Sequence, residues 1–239
     1  LWGRQNRKFK ILVCRGRLNF LDKSFDAVVF DYGGVMITSI TNKFIPLAER
    51  AETSIEVIRE IVMGPLGVST NHPWHRAERG EIDLGQIQKE LEPHADKYSV
   101  NLYGDEIETV YSNTKSGLTT PYTIIKPMVQ KAIEVQKRGF SIALLTNLFT
   151  EFYPTVKKEL KEVKFDAWVA SSEEGTRKPE AKIYEITEEL LQISGEKILF
   201  LDDFEPNLIA AEKAGWSVIK VTDPLDAIKD LDDKLLLPF

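Results

Sequence analysis

Residues 197–221 read KILFLDDFEPNLIAAEKAGWSVIKV, and the fold is decided in this stretch. KILFL is a near-continuous apolar run, which suits a strand buried on both faces. It ends at two adjacent carboxylates, Asp202 and Asp203. A helical pattern covers Pro206–Ala214, and a second apolar run, SVIKV, follows at 217–221. Working outward, AVVF (27–30) is another such run, ended by Asp31-Tyr32-Gly33-Gly34. SIALLT (141–146) is ended by Asn147, and AWVAS (167–171) comes next. Further helical patterns lie at Lys126–Lys137, Glu151–Lys161, Glu180–Gln192 and Leu225–Leu231. Apolar strands alternating with amphipathic helices predict an α/β fold, a doubly wound parallel sheet covered on both faces.

One stretch breaks the alternation. Roughly residues 40–120 contain no strand run and read as helices. Thr53-x-x-Glu56 is a capping box ahead of Ile55, Ile58, Ile61 and Val62. Asp83-x-x-Gln86 starts a second helix carrying Leu84, Ile87 and Leu91, and Ile107, Val110 and Tyr111 suggest a third. The expected organisation is a core of 26–40 and 121–239, a helical cap at 41–120, and a basic extension at 1–25. Ligands of open α/β sheets bind beyond the carboxyl ends of the strands, so an insertion leaving from that edge would stand over the site.

The 239 residues carry 31 Lys+Arg against 37 Asp+Glu, a net charge of −6, which argues against nucleic acid as a partner. No apolar run reaches the ~18 residues of a membrane span. Cys14 is the single cysteine, which excludes an intramolecular disulfide and a cysteine-based zinc site. His72, His75 and His94 lack ligand spacing, so a metal must be held by carboxylates, which points to a hard ion such as Mg²⁺. The lone thiol fits a reducing, cytoplasmic setting. The first 23 residues carry seven basic side chains and one acid, a transit-like charge pattern without the serines of a transit segment. KILVC (10–14) could add an edge strand there.

The chemistry is read where the strands stop. Asp31, Thr146-Asn147 and Asp202-Asp203 follow three different strands, and Lys178 sits in GTRKPE at a helix start marked by Pro179. A parallel sheet brings such ends to one edge. Together they supply a carboxylate nucleophile, a hydroxyl, a cation and an acidic pair, the set that phosphoryl transfer needs.

The four segments together resemble the haloacid dehalogenase-like superfamily. VVFDYGGVM is similar to its first motif, LLTN to its second, GTRKPEAKIYE to its third and LFLDDFEPNLIAAEKAGW to its fourth. The subgroup it most resembles has a helical cap and includes the N-terminal phosphatase domain of soluble epoxide hydrolase; PWHRAERGEIDLGQIQKEL looks like that cap. The resemblance implies a Mg²⁺-dependent phosphatase of a small phosphorylated metabolite. Asp31 would be the nucleophile and a metal ligand, with the Gly33 carbonyl and Asp203 as further ligands. Thr146 and the Asn147 backbone N–H would hold the phosphoryl oxygens, and Lys178 would neutralise charge. Asp202 and Asn207 would stand behind them. A homodimer is compatible with this reading. The family places an acid two residues after the nucleophile, whereas this chain has Gly33, which puts leaving-group protonation in question. Two alternatives follow: a phosphate-binding or regulatory protein without turnover, and a metal-free haloacid dehalogenase. Trp74 and His75 would either touch substrate or pack in the cap, and Tyr32 would line the entrance or pack.

Overall fold

The apolar runs assemble into one parallel sheet in the computed structural model, which describes residues 24–65, 67–100 and 122–236. Among these residues the strands are β1 (Ala27–Phe30), β2 (Ser141–Thr146), β3 (Ala167–Ala170), β4 (Ile198–Asp202) and β5 (Ser217–Lys220). Their spatial order is β3-β2-β1-β4-β5, all parallel. The chain therefore starts at the centre, winds out to one edge and returns to build the other. That is a doubly wound sheet.

Helices α1 (Phe44–Arg50), α2 (Ile55–Met63), α3 (Pro73–Glu78) and α4 (Leu84–Asp96) lie between β1 and residue 100. Then α5 (Lys126–Lys137), α6 (Tyr153–Glu159), α7 (Ser171–Glu174), α8 (Ala181–Leu191), α9 (Glu205–Lys213) and α10 (Pro224–Leu235) alternate with the remaining strands.

Side-chain alternation along each strand divides the core in two. Val28, Phe30, Ile142, Leu144, Leu199 and Leu201 face Met128, Ala132 and Val135 of α5 and Leu231 of α10. Ala27, Val29, Ala143, Leu145, Ile198 and Phe200 face Ile183 and Tyr184 of α8, Ala211 of α9 and Trp216. Helices α1–α4 have a third core of their own, with Phe44, Ile58, Ile61, Trp74, Ile87 and Leu91 packed against Phe149 from the sheet side. Among the described residues no helix is long and apolar enough to cross a membrane.

Some boundaries differ from expectation. The N-cap of α2 is Ser54, whose Oγ accepts from Val57 N; the Thr53 backbone N–H is already given to Ala48 O at the close of α1. The run expected as one helix over 151–161 begins as a 3₁₀ turn, Thr150–Phe152, before α6. Pro179 lies ahead of α8 rather than in its first turn, because the Asn147 side chain holds both Lys178 N and Lys178 O. Ser171 opens α7 instead of closing β3. The suggested helix around Ile107–Tyr111, the KILVC strand and the cap's far boundary at 120 lie outside the described residues.

Asp83 and Gln86 form the expected reciprocal capping box, with Gln86 N to Asp83 Oδ1 at 2.9 Å and Asp83 N to Gln86 Oε1 at 3.0 Å. Asp83→Ala should therefore cost about 1 kcal/mol of stability, read as a lower urea midpoint at unchanged m-value.

Candidate active site

Three strands end close together, β4 one residue and β2 two residues beyond β1. Phe30 of β1 is in register with Leu144 of β2 and Leu201 of β4, so the next residue, Asp31, stands level with Leu145 and Asp202. The Asp31 backbone N–H donates to Leu201 O at 2.9 Å, which fixes that height. Alternation then sends Asp202 to the same face as Ile198 and Phe200, where a long cation waits.

That cation is Lys178, only 1% exposed. Its Nζ lies 2.9 Å from Asp31 Oδ1 and 2.6 Å from Asp202 Oδ2, and 5.3 Å above the Phe200 ring. The Asn147 side chain clamps the lysine backbone from β2, donating to Lys178 O at 2.9 Å and accepting from Lys178 N at 2.8 Å. Asp202 is fully engaged. Besides Lys178 it accepts from Phe204 N at 2.7 Å and from the Asn207 amide at 3.0 and 3.2 Å. Among the described residues Asp31 is engaged on one side only: Tyr32 N, at 2.7 Å, and Lys178 both bind Oδ1.

Burial pushes the Asp31 carboxyl up to about 7, against the pull of Lys178, with Asp202 and Asp203 adding repulsion. Burial likewise raises Asp203 to about 6, with Asp202 as the second cause. Burial alone would lower Lys178, but the carboxylates of Asp202 and Asp31 outweigh it and raise the ammonium pKa. Oxygens of Asp31, Asp202 and Asp203 all lie within 4.8 Å of one another. Three carboxylates crowd round the Lys178 ammonium, with Arg59 acting on Asp203 as a further cation. With Asp202 committed to Lys178 and Asn207, the donors left for a hard cation are Asp31 and Asp203.

The chain as a whole has recognisable relatives. Residues 25–215 match the family of haloacid dehalogenase-like hydrolases. The chain belongs to that family. It is 27% identical over 225 residues to mouse acyl-CoA dehydrogenase family member 10, covering 90% of this chain but 20% of that protein. It is 25% identical over 209 residues to the sesquiterpene phosphatase astK of Aspergillus oryzae, covering 87% of this chain and 95% of the relative. Mouse bifunctional epoxide hydrolase 2 is 26% identical over 213 residues, covering 85% of this chain and 37% of that protein. The chain thus spans a minor part of two of these relatives and nearly all of the phosphatase. Two solved structures share the fold. A dehalogenase with an intermediate complex has TM-score 0.64 at 16% identity, covering 90% of this chain and 99% of the other. A Bacteroides thetaiotaomicron enzyme of the same family, in complex with magnesium and inorganic phosphate, has TM-score 0.56 at 17% identity, covering 82% and 93%.

In this chain the helical unit shares the site. A cavity bounded by Asp31, Gly33, Thr146, Lys178 and Asp203 is also lined by Arg59 and Met63 of α2 and by Trp74, His75 and Glu78 of α3. Glu78 is buried and doubly bound, accepting from Trp74 Nε1 at 2.7 Å and Arg177 Nε at 2.6 Å. This pair ties α3 to the residue beside Lys178. Sequence reading missed Glu78, Arg177 and Arg59; the adjacency of Arg177 to Lys178 was the available signal, while RAERGE looks like any charged surface run. Arg59 reaches the cavity with a buried Nε that has no hydrogen-bond partner among the described residues. His75 packs rather than titrates: burial first, then Arg177, lowers it to about 3, and its Nδ1 accepts from Thr70 N. Tyr32 gives its hydroxyl to Glu159.

The two glycines after Asp31 differ. Gly34 has φ +71°, and a Cβ there would sit 2.0 Å from Asp203 Oδ2. Gly33 is outside the left-handed region, and a Cβ there would meet nothing within 4 Å. Gly34→Ala should therefore displace the Asp203 carboxylate and strain the backbone. The expected result is a protein that stays folded, destabilised by about 1 kcal/mol or more, with divalent-cation affinity cut at least about tenfold in isothermal titration.

Proposed function

We propose that this protein is a Mg²⁺-dependent phosphatase that acts through a phosphorylated Asp31 on a small phosphorylated metabolite. The observation that carries the reading is the one-sided engagement of Asp31. Lys178 and Tyr32 N hold Oδ1, while none of the described residues donates to Oδ2, on a side chain that lines the cavity. A carboxylate held this way is oriented yet retains a nucleophilic oxygen.

Oδ2 attacks phosphorus, the bond to the leaving oxygen breaks, and water later cleaves the acyl phosphate to restore Asp31. Thr146 Oγ1 and the Asn147 backbone N–H hold the equatorial oxygens, and Lys178 offsets their charge as it grows. Asp202 orients Lys178, and Asn207 holds Asp202. Asp31, Asp203 and the Gly33 carbonyl would hold Mg²⁺, which supplies positive charge to the phosphoryl oxygens. The full-length similarity to a phosphatase, and a structural neighbour complexed with magnesium and inorganic phosphate, support the reading. A metal-free dehalogenase would have no use for a further carboxylate at Asp203.

Gly33 leaves no side-chain acid two residues beyond Asp31, so the departing oxygen must carry more charge. Acidic leaving groups, as in aryl, acyl and anomeric phosphates, are then the better substrates. The same residue favours a second reading, a phosphate-binding protein without turnover, and one assay separates the two.

Asp31→Asn should reduce hydrolysis of p-nitrophenyl phosphate to background with the fold intact, since an amide forms no acyl phosphate. EDTA should do the same, with Mg²⁺ but not Ca²⁺ restoring the rate. An active Asn variant, or full activity in chelator, rejects the mechanism; phosphate binding without turnover of any ester selects the second reading.

Because the space beside Gly33 is open, Gly33→Asp should restore a proton donor. Hydrolysis of simple alkyl phosphates should rise by up to about 10²-fold, the low end of general-acid contributions, and that of p-nitrophenyl phosphate far less. Initial rates across a leaving-group series for both proteins test this.

A further inference from the structure

Gly33 leaves the second half of the proposed reaction without a base. Water that attacks a phosphorylated Asp31 must shed a proton as its oxygen bonds to phosphorus. The space in front of Gly33 is open, since a Cβ there would meet nothing within 4 Å. Two adjoining cavities meet here, and Gly33, Trp74, Glu78, Thr146 and Asn147 line both.

Among the described residues that line them the carboxylates are Asp31, Asp203 and Glu78. The proposed reaction uses Asp31 as nucleophile and Asp203 as a cation ligand, which leaves Glu78 without a task. The other titratable walls are poor bases. Arg59, Arg177 and Lys178 are cations, and the hydroxyls of Tyr32 and Tyr122 are both given to Glu159. His75 spends Nδ1 on Thr70 N, and burial lowers it to about 3.

Glu78 closes α3 and is buried. Its Oε1 accepts from Trp74 Nε1 at 2.7 Å and its Oε2 from Arg177 Nε at 2.6 Å. A carboxylate has about four acceptor sites, so each oxygen keeps room for a proton. The donors approach from the helical unit and from the loop beside Lys178, and the Trp74 ring is itself set edge-on against Phe149 at 4.8 Å. The carboxylate is therefore held in one orientation, and the guanidinium offsets its charge beside an incoming phosphoryl group. A pair placed only to fasten α3 would be served as well by apolar side chains.

Resting on the phosphatase reading of the cavity, we propose that Glu78, supplied by the helical unit, is the general base of the dephosphorylation step. The water oxygen bonds to phosphorus as the bond from phosphorus to Asp31 Oδ2 breaks. The electron pair of that bond returns to the Asp31 carboxylate. The water proton passes to Glu78, which then yields it to the released phosphate. The first step does not use Glu78, because a carboxylate paired with a guanidinium has no proton to give the leaving group.

Rapid-quench kinetics with p-nitrophenyl phosphate separate the two steps. Glu78→Gln should keep the burst of p-nitrophenol and slow the steady state by at least about 10²-fold, with the phosphoryl group trapped on the acid-quenched protein. In the parent, D₂O should slow release of phosphate from the phosphorylated protein, a readout that needs no variant. A merely structural Glu78 would slow both steps together and trap no phosphoryl group. That result, a Gln variant with the parental steady state, or a second step indifferent to D₂O overturns the proposal, while turnover by the parent keeps the phosphatase reading. A parent that hydrolyses neither p-nitrophenyl phosphate nor acetyl phosphate removes both.

Discussion

The Lys178 ammonium, buried between Asp31 and Asp202, is the contact on which the rest of the site depends. A charge so thoroughly removed from water is tolerable only with partners at hydrogen-bond distance on more than one side. Each partner is therefore held in turn: Asp31 by its strand register and the Tyr32 N–H, Asp202 by Phe204 N and Asn207, and the lysine backbone by Asn147. Neighbouring strand ends of the sheet meet in this one cluster. The sheet order, with β1 between β2 and β4, makes the meeting possible.

Much of this was legible in the sequence because the strands announce themselves. AVVF and SIALLT begin and end where their apolar runs do, and α5 matches its helical pattern over Lys126–Lys137. The positions of the candidate site residues could be read for the same reason: Asp31, Asn147 and Asp203 follow directly on buried strands, Thr146 and Asp202 end them, and Lys178 lies on a short charged loop. The assignment of Asp202 to a supporting position also follows from alternation, since only one of two adjacent carboxylates can share the face of Phe200. Where local signals competed, the reading slipped. Thr53 and Ser54 are both plausible caps, and only the tertiary path of α1 decides between them. Pro179 looked like a first-turn proline, yet the backbone of Lys178 is recruited by a residue 31 positions earlier.

The apolar cavity that adjoins the site was not legible at all. Its walls come from Ile37, Phe44, Trp74, Phe149 and Val156, each of which reads locally as ordinary core. Apolar side chains that line a cavity and apolar side chains that fill one have the same sequence signature. Glu78 was hidden for a different reason. An acid on a charged helix suggests solvent, and its burial follows only from Arg177, a residue 99 positions away.

The matched register of β1, β2 and β4 also bears on which changes of length the chain can absorb. Removing one residue within Ile198–Leu201, with the start of β4 held, would draw Asp203 into the place of Asp202 and turn the side chains after the deletion to the opposite face of the sheet. The place of Asp203 would pass to Phe204, and the end of the strand would exchange its core contacts at once. Residues added to the turns at the opposite, amino-terminal edge of the sheet would do neither. Changes of length are accordingly to be absorbed by the connections, and substitution is the change that leaves this register intact.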